Sequence, residues 1–245
     1  MLLRQLYGYH DRLSSRLSDL PYPESVGKPP ENFDNTSVTN VVDRGIVAYV
    51  LRLGKIWSRV SSYLNSHGDL GDQPPWSPQS EYAEIMAMLS HLGVDMPPAH
   101  RYNSARPGDR TAAFLESNRA YWGPWFLSRF LYHTALCALN HPLLISLQLR
   151  KFGALIPDVF LLQSSYLLST HTNWISHYLT YFSTKGYKVS DPFLGYCAAI
   201  VATVELQLSF TDDLEARLKK QESFSRCVAF VEGFGDKWPH MSQIV

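Results

Sequence analysis

Apolar positions along this chain recur at separations of three and four, the spacing of one face of an α-helix. Nowhere do they alternate as a half-buried strand would. The densest stretch is Trp125 to Leu144, WFLSRFLYHTALCALNHPLL, nearly all apolar and without an acidic residue. Phe126, Phe130, Leu131, Thr134, Ala138 and Leu139 fall on one side of a helix, and Leu127 and Leu136 widen the stripe. A helix apolar over most of its circumference is buried in a large protein or crosses a membrane. Arg129, His133, Asn140 and His141 interrupt this one too often for a span of about 20 apolar residues, so a central core helix is predicted. Asn140-His141-Pro142 then sets a residue biased away from helix before a proline that suits a first helical turn. The helix is expected to stop or kink near His141, with Leu143-Leu144-Ile145 opening a second apolar segment.

The same periodicity predicts the other elements. Residues 1–20 read as a short amphipathic helix and 21–40, with Pro21, Pro23, Pro29 and Pro30, as a surface loop. Val41 to Leu64 is amphipathic through Val42, Ile46, Tyr49, Val50, Leu53, Ile56, Trp57 and Val60, with Asn40 or Asp43 as cap and Gly68 beyond its end. After a Gly/Pro/Asp loop to Pro78, Ser77 or Ser80 caps a helix to Leu92 that leaves through Met96-Pro97-Pro98. Following Gly153 and Pro157, Asp158 caps a helix to Lys185 with Phe160, Leu167, His171, Trp174, Tyr178 and Phe182 as its stripe and Gly186 as its terminator. Asp191-Pro192 starts a helix to Leu208 that is apolar on every side through Val204 and reads as a second buried core helix. Thr211–Val231 is a last amphipathic helix with Leu214, Leu218, Phe224, Val228 and Val231 on its apolar side, and Trp238-Pro239 closes the chain. The fold class is all-α, a single multi-helix domain around two strongly buried central helices.

Composition narrows the function. A chain of 245 residues can bury a substantial core. Its 22 Lys and Arg equal its 22 Asp and Glu, so the basic excess of a DNA-gripping domain is missing and no direct nucleic-acid binding is expected. Cys137, Cys197 and Cys227 lie far apart in apolar helical patterns, as buried free thiols of a reducing compartment do. Asn35-Thr36-Ser37 matches a glycosylation acceptor, but Arg4 and Gln5 follow Met1-Leu2-Leu3 and leave no apolar signal core. An intracellular chain without membrane attachment is expected.

Candidate chemistry competes with ordinary structure at each position. His133 and Cys137, like Asn173 and His177, lie four apart on apolar faces, but Glu116 is the sole acid in residues 112–150. Metal ligands usually come with acidic partners, so hydrogen-bonded core histidines are expected and no metal or other cofactor. Asp212-Asp213-x-Glu215 resembles acidic metal motifs, yet it opens a helix, where acids complement the dipole. His10-Asp11 is the dipeptide of metal-dependent HD hydrolases without the further partners. No Gly-rich phosphate loop, Gly-x-Ser-x-Gly elbow or His-Glu-x-x-His occurs, and no catalytic residue is assigned. The aromatic residues fill a helical core or line a ligand pocket whose place the sequence leaves open.

Two stretches carry a family resemblance. Trp76-x-Pro78-x-Ser80-x-Tyr82, a helix and a Met96-Pro97-Pro98 exit precede Tyr132-His133 and Ala138-Leu139-Asn140-His141-Pro142-Leu143. In this order they resemble the fungal-specific transcription factor domain, the middle homology region of zinc binuclear-cluster transcription factors. Gly54 within Leu53-Gly54-Lys55 and the small residues of Phe193–Ala198 add to the likeness, and Asp11-Arg12 with Ser14-Ser15 adds a faint trace. His141 stands where the family commonly has Arg. The resemblance covers roughly residues 41–210 and implies a nuclear regulatory domain, not an enzyme, over 41–245, preceded by a partial start at 1–40. Three cysteines cannot form the family's six-cysteine cluster, so any zinc belongs to a DNA-reading domain outside this chain, which is then a fragment, a truncated product or a regulator lacking its reader. The implied partners are other domains of the same factor, a second copy, co-regulators or a small-molecule effector. An all-α enzyme and a helical adaptor are the rival readings.

Overall fold

The computed structural model describes residues 27–30, 43–65, 73–150, 152, 156–235 and 238. The helix at 1–20 with its His10-Asp11 and Asp11-Arg12 motifs, Asn35, the Asn40 cap, Gly68, Gly153 and Pro239 lie outside them. The described chain is helical, with no strand among the described residues: α1 (Ile46–Asn65), α2 (Glu81–Asp95), α3 (Tyr102–Ala105), α4 (Ala112–Ser117), α5 (Arg119–Leu139), α6 (Pro142–Leu149), α7 (Asp158–Lys185), α8 (Pro192–Leu208) and α9 (Leu214–Glu232), with single 3-10 turns at Pro98–His100 and Pro107–Asp109.

Helix α5 is the centre, packed against α1, α7 and α8. All six residues of its predicted stripe are buried, as are Trp122, Trp125 and Leu136. It begins at Arg119, earlier than the apolar pattern indicates, and carries Pro124 inside it. That proline forfeits one early i→i−4 bond. Burial of Tyr121, Trp122 and Trp125 around it holds the helical turn nonetheless. The break predicted near His141 is present. Asn140 caps the end, His141 is extended (φ −60°, ψ 124°), and Pro142 is the first residue of α6.

By length and composition alone, Arg119–Leu147 is apolar enough to cross a membrane, which the interruptions at 129, 133, 140 and 141 were expected to prevent. Burial separates the two uses: 67% of an 18-residue apolar window within it is covered by the rest of the fold. A lipid-facing helix would present its apolar surface outward instead.

Around α5 the caps follow local chemistry. Ser80 caps α2, its Oγ accepting from Ala83 N at 3.1 Å. Asp191 caps α8 through Phe193 N at 2.9 Å. Asp213 caps α9, accepting from Glu215 N and Ala216 N, so the Asp212–Glu215 acids serve the helix start. Asp158 is the first residue of α7 behind Pro157, an acid in the first turn and not the cap itself. Gly186 ends α7 at φ +64°. Helix α1 begins at Ile46 and not at Val41, because Asp43 Oδ1 accepts from Gly45 N at 2.8 Å and Gly45 turns the chain at φ +78°.

Two sequence expectations fail at the surface. Leu214 and Leu218 are 62% and 57% exposed, while α9 buries Val231, as expected, together with Ser223 and Cys227. What α9 meets on α8 is the buried Glu205, whose carboxylate lies 3.0 Å from Lys220 Nζ and accepts from Ser223 Oγ at 3.2 Å. A carboxylate at the α8–α9 contact turns the small polar face inward and the leucines out. Leu143, which opens the second apolar segment and would be expected inside with its neighbours, is 49% exposed on α6.

Leu139→Ala should lower stability by about 2–5 kcal/mol through the cavity it leaves, whereas Leu143→Ala should cost well under that, since its side chain is half in water. Chemical denaturation of both variants checks the ranking, and equal losses would place Leu143 in the core.

Lys220→Met should cost about 3–5 kcal/mol, because it strands the fully buried Glu205 carboxylate without a cation. Adding Glu205→Gln should restore part of the loss. A Lys220→Met protein as stable as its parent would mean that the charge pair contributes nothing.

Candidate functional site

The aromatic-histidine positions of α5 meet α7 face to face. Successive turns of α5 present Arg129, Tyr132 and His133, and α7 answers with His171, Trp174 and Tyr178. His133 Nδ1 and His171 Nδ1 are 2.8 Å apart, both rings buried. A bond between two Nδ1 atoms needs one as donor and the other as acceptor, so the rings are in opposite tautomers. Trp174 stacks on His133 with ring centroids 5.6 Å apart and an interplanar angle of 14°. His133 and Cys137, singled out by their spacing, do not pair; His133 reaches across to α7 instead. His177 likewise bonds Tyr102 Oη at 2.8 Å rather than Asn173.

Burial holds these imidazoles neutral. It lowers His133 well below its ordinary value, with the neighbouring His171 and Arg129 adding to the effect, and lowers His171 to about 4. His141, at the α5–α6 break, is lowered to about 4 for the same reason. Thr203 Oγ1 donates to Ile200 O, so it accepts from His141 Nε2 at 3.0 Å, and the bare His141 Nδ1 has no hydrogen bond. A neutral ring fits where the resembled family commonly has Arg.

A second polar chain was invisible in the sequence. Asp43 Oδ1 lies 2.9 Å from His100 Nε2, and His100 Nδ1 lies 3.1 Å from Tyr121 Oη. The hydrogen bond to His100 and burial act oppositely on Asp43, and its pKa is lowered on balance. An acid, a histidine and a hydroxyl in line suggest proton transfer, but His100 is wholly buried against Tyr121. His100 O also accepts from Trp125 Nε1 at 2.8 Å and from Arg129 Nη2. The arrangement fastens the loop before α3 to α5. Residues 43 and 100 are 57 apart in sequence, so no spacing rule could have joined them.

The resemblance residues are distributed as joints. Tyr82 Oη donates to Asn140 Oδ1 at 2.9 Å, tying α2 to the end of α5. Ser80 Oγ donates to Pro75 O at 2.9 Å. Trp76 packs on Phe152 and Phe160, with centroids 5.3 and 5.6 Å away. Pro97 is buried ahead of the Pro98–His100 turn, whereas Pro78 is exposed. Gly54 has open space where a Cβ would stand, so no neighbour requires a glycine there. Tyr132 and His133 lie at the α5–α7 contact, His141 and Pro142 at the break. The set forms no single pocket. Among the described residues no three His, Cys, Asp or Glu side chains gather as a metal would need, and Cys137, Cys197 and Cys227 are buried free thiols whose pKa values burial raises.

Beside the histidine pair a cleft of about 170 Å³ opens between α1, α2 and α5, with Arg129 and Tyr132 in its wall. Arg129 packs its guanidinium 5.0 Å over the Trp125 ring, and burial lowers its pKa.

No family model matches the chain, and no solved structure does. Curated relatives do match. The Zn(2)-C6 fungal-type transcription factor FTF1c of Fusarium oxysporum f. sp. lycopersici is 26% identical over 230 residues, 90% of this chain and 23% of that protein. FTF2 and FTF1a of the same organism, carrying the same description, are 27% and 24% identical over 66% and 79% of this chain, and 14% and 17% of their own lengths. The chain is thus similar, over most of its length, to Zn(2)-C6 fungal-type transcription factors, and it spans less than a quarter of the length of these relatives. The resemblance read from the motifs and the all-α fold both stand.

Because folding lowers these histidine pKa values, the stability they carry is complete above the unfolded value near 6.5. It is lost as pH falls from there toward 4, by about 1.4 kcal/mol per pH unit for each fully buried ring. The melting temperature should therefore drop between pH 7 and 5, and His171→Gln, which keeps a hydrogen-bonding side chain, should flatten the slope. A melting temperature constant over that range would show that the pair does not resist protonation.

Proposed function

We propose that this chain is the regulatory portion of a Zn(2)-C6-type transcription factor. It would act in the nucleus by contact with other domains of the factor, a second copy or co-regulators, or by sensing a small molecule, without reading DNA itself. The observation that carries this reading is the similarity to such factors over 90% of the chain, which takes in only 23% of one relative's length. A matching stretch of that kind in long regulators is a module serving something outside itself.

Composition supports the division of labour. Three cysteines, all buried in helices, are too few for a six-cysteine zinc cluster, and the charge balance of 22 against 22 offers no electrostatic grip on phosphates. The interior supports a non-enzymatic role as well. Burial lowers the pKa of His133, His141 and His171, these rings are spent on structural bonds, and the relatives are transcription factors. Residues 41–245 would form the regulatory module, with 1–40 leading into it.

The test is to fuse the chain to an unrelated DNA-binding domain and measure a reporter carrying that domain's site in a fungal nucleus. The tethered chain should raise or lower output relative to the DNA-binding domain alone, and the untethered chain should leave it unchanged. No effect of tethering would overturn the regulatory reading, and an untethered effect reproduced by specific duplex binding in vitro would overturn the division of labour.

A further inference from the structure

Arg129 poses a problem that the core network leaves unsolved. Its guanidinium is packed inside the fold, yet no carboxylate among the described residues lies within ion-pair distance, and its Nε–H, closed off from solvent, has no hydrogen bond. Its Nη2 is used by His100 O and by Met96 Sδ, neither of which carries charge. A buried cation without an anion is costly.

The cleft beside it is rich in donors and poor in acceptors. Arg101 also lines it, spending Nε on Met96 O at 3.1 Å and Nη2 on Val94 O at 3.1 Å, so that Nη1 is free. Tyr132 Oη lines it too and has no hydrogen bond among the described residues. The remaining wall is largely apolar, formed by Leu53, Leu92 and Met96, and no acid stands in the lining. Gly93 keeps the space open: a Cβ there would have Tyr132 Oη as its nearest neighbour, at 3.9 Å. Two guanidinium groups and a phenol that need acceptors, set among aliphatic side chains, match one kind of ligand: an anionic head on a short carbon skeleton.

We infer that the cleft between α1, α2 and α5 is a binding site for a small organic carboxylate, held by the Arg129 guanidinium, the Arg101 Nη1 group and the Tyr132 hydroxyl. The aliphatic wall takes the carbon chain and distinguishes such a ligand from an inorganic anion. This deepens the regulatory reading by naming what the module would sense, and it places the effector against the same α5 helix that carries the histidine pair. Occupancy would supply the missing countercharge and brace α2 against α5.

The experiment is a titration of the full chain, labelled with ¹⁵N, followed through the arginine Nε–Hε signals. The probes are propionate, succinate, benzoate and inorganic phosphate. One arginine signal, identified as Arg129 by its absence in Arg129→Gln, should move saturably with at least one carboxylate and not with phosphate, and the melting temperature should rise in parallel. Arg101→Gln should weaken binding about tenfold, the size of one charge-assisted hydrogen bond. Gly93→Leu, which fills the cleft and places a better helix former in α2, should fold and abolish the shift. Should Arg129→Gln not fold, Gly93→Leu decides alone. No saturable shift with any of the three carboxylates, an equal shift with phosphate, or a shift that survives Gly93→Leu overturns the site. Because binding is read directly on the protein, its failure is distinct from silence of the tethered reporter.

Discussion

The structure is governed by the need to bury α5 completely while its polar side chains go unhydrated. A helix apolar over most of its surface gains from every neighbour that covers it, but each polar group carried inside must find a partner or forfeit the free energy of its lost water. Those obligations fall at Arg129, His133, Asn140 and His141, and the neighbours of α5 answer the last three with side-chain hydrogen bonds. Asn140 is met by Tyr82 of α2, His133 by His171 of α7 and His141 by Thr203 of α8. Each bond specifies which helix lies where, something apolar contact alone does not fix.

Between these joints, aromatic rings supply the bulk. Phe130, Phe182 and Phe230 form a stack through α5, α7 and α9, with centroids 5.8 and 6.0 Å apart. Trp122, Trp125 and Phe126 meet edge-on or tilted, as ring quadrupoles prefer. The α8–α9 contact is different, with Gly195, Ala198, Ala199 and Ala202 buried along α8 and the charged Glu205 at its end. The consequence for function is that the histidines of the core are committed to holding helices together. Arg129 keeps an unbonded Nε–H, and it stands beside the cleft.

The elements themselves were largely legible. Helices α2, α7 and α8, the break at His141, the Ser80 and Asp191 caps and the Gly186 stop follow from periodicity and from local hydrogen bonding within a few residues. Errors arose where the deciding interaction was not local. Helix α5 runs through Gly123-Pro124 because its surroundings reward burial of Trp122 and Trp125. Helix α9 turns Leu214 and Leu218 to the surface because a carboxylate of α8 must be answered by Lys220 and Ser223. Of the resemblance residues, Tyr82, His133 and His141 make contacts between helices, Trp76 packs on Phe160 of α7, and Gly54 meets no neighbour that explains it.

What the sequence determined by itself was the class of protein: all-helical, charge-balanced, with too few cysteines for a zinc cluster and with motifs that match a regulatory family. These are properties of composition and of spacings under about ten residues, which a helix converts directly into faces and ends. Tertiary structure alone decided the pairings: His133 with His171 rather than Cys137, Asp43 with His100, and Arg129 with no acid among the described residues. Each depends on which helices cross, and at what height, so residues 38 or 57 apart in the chain come within 3 Å. Periodicity reports that a side chain faces inward; only the packed neighbour settles what it meets there.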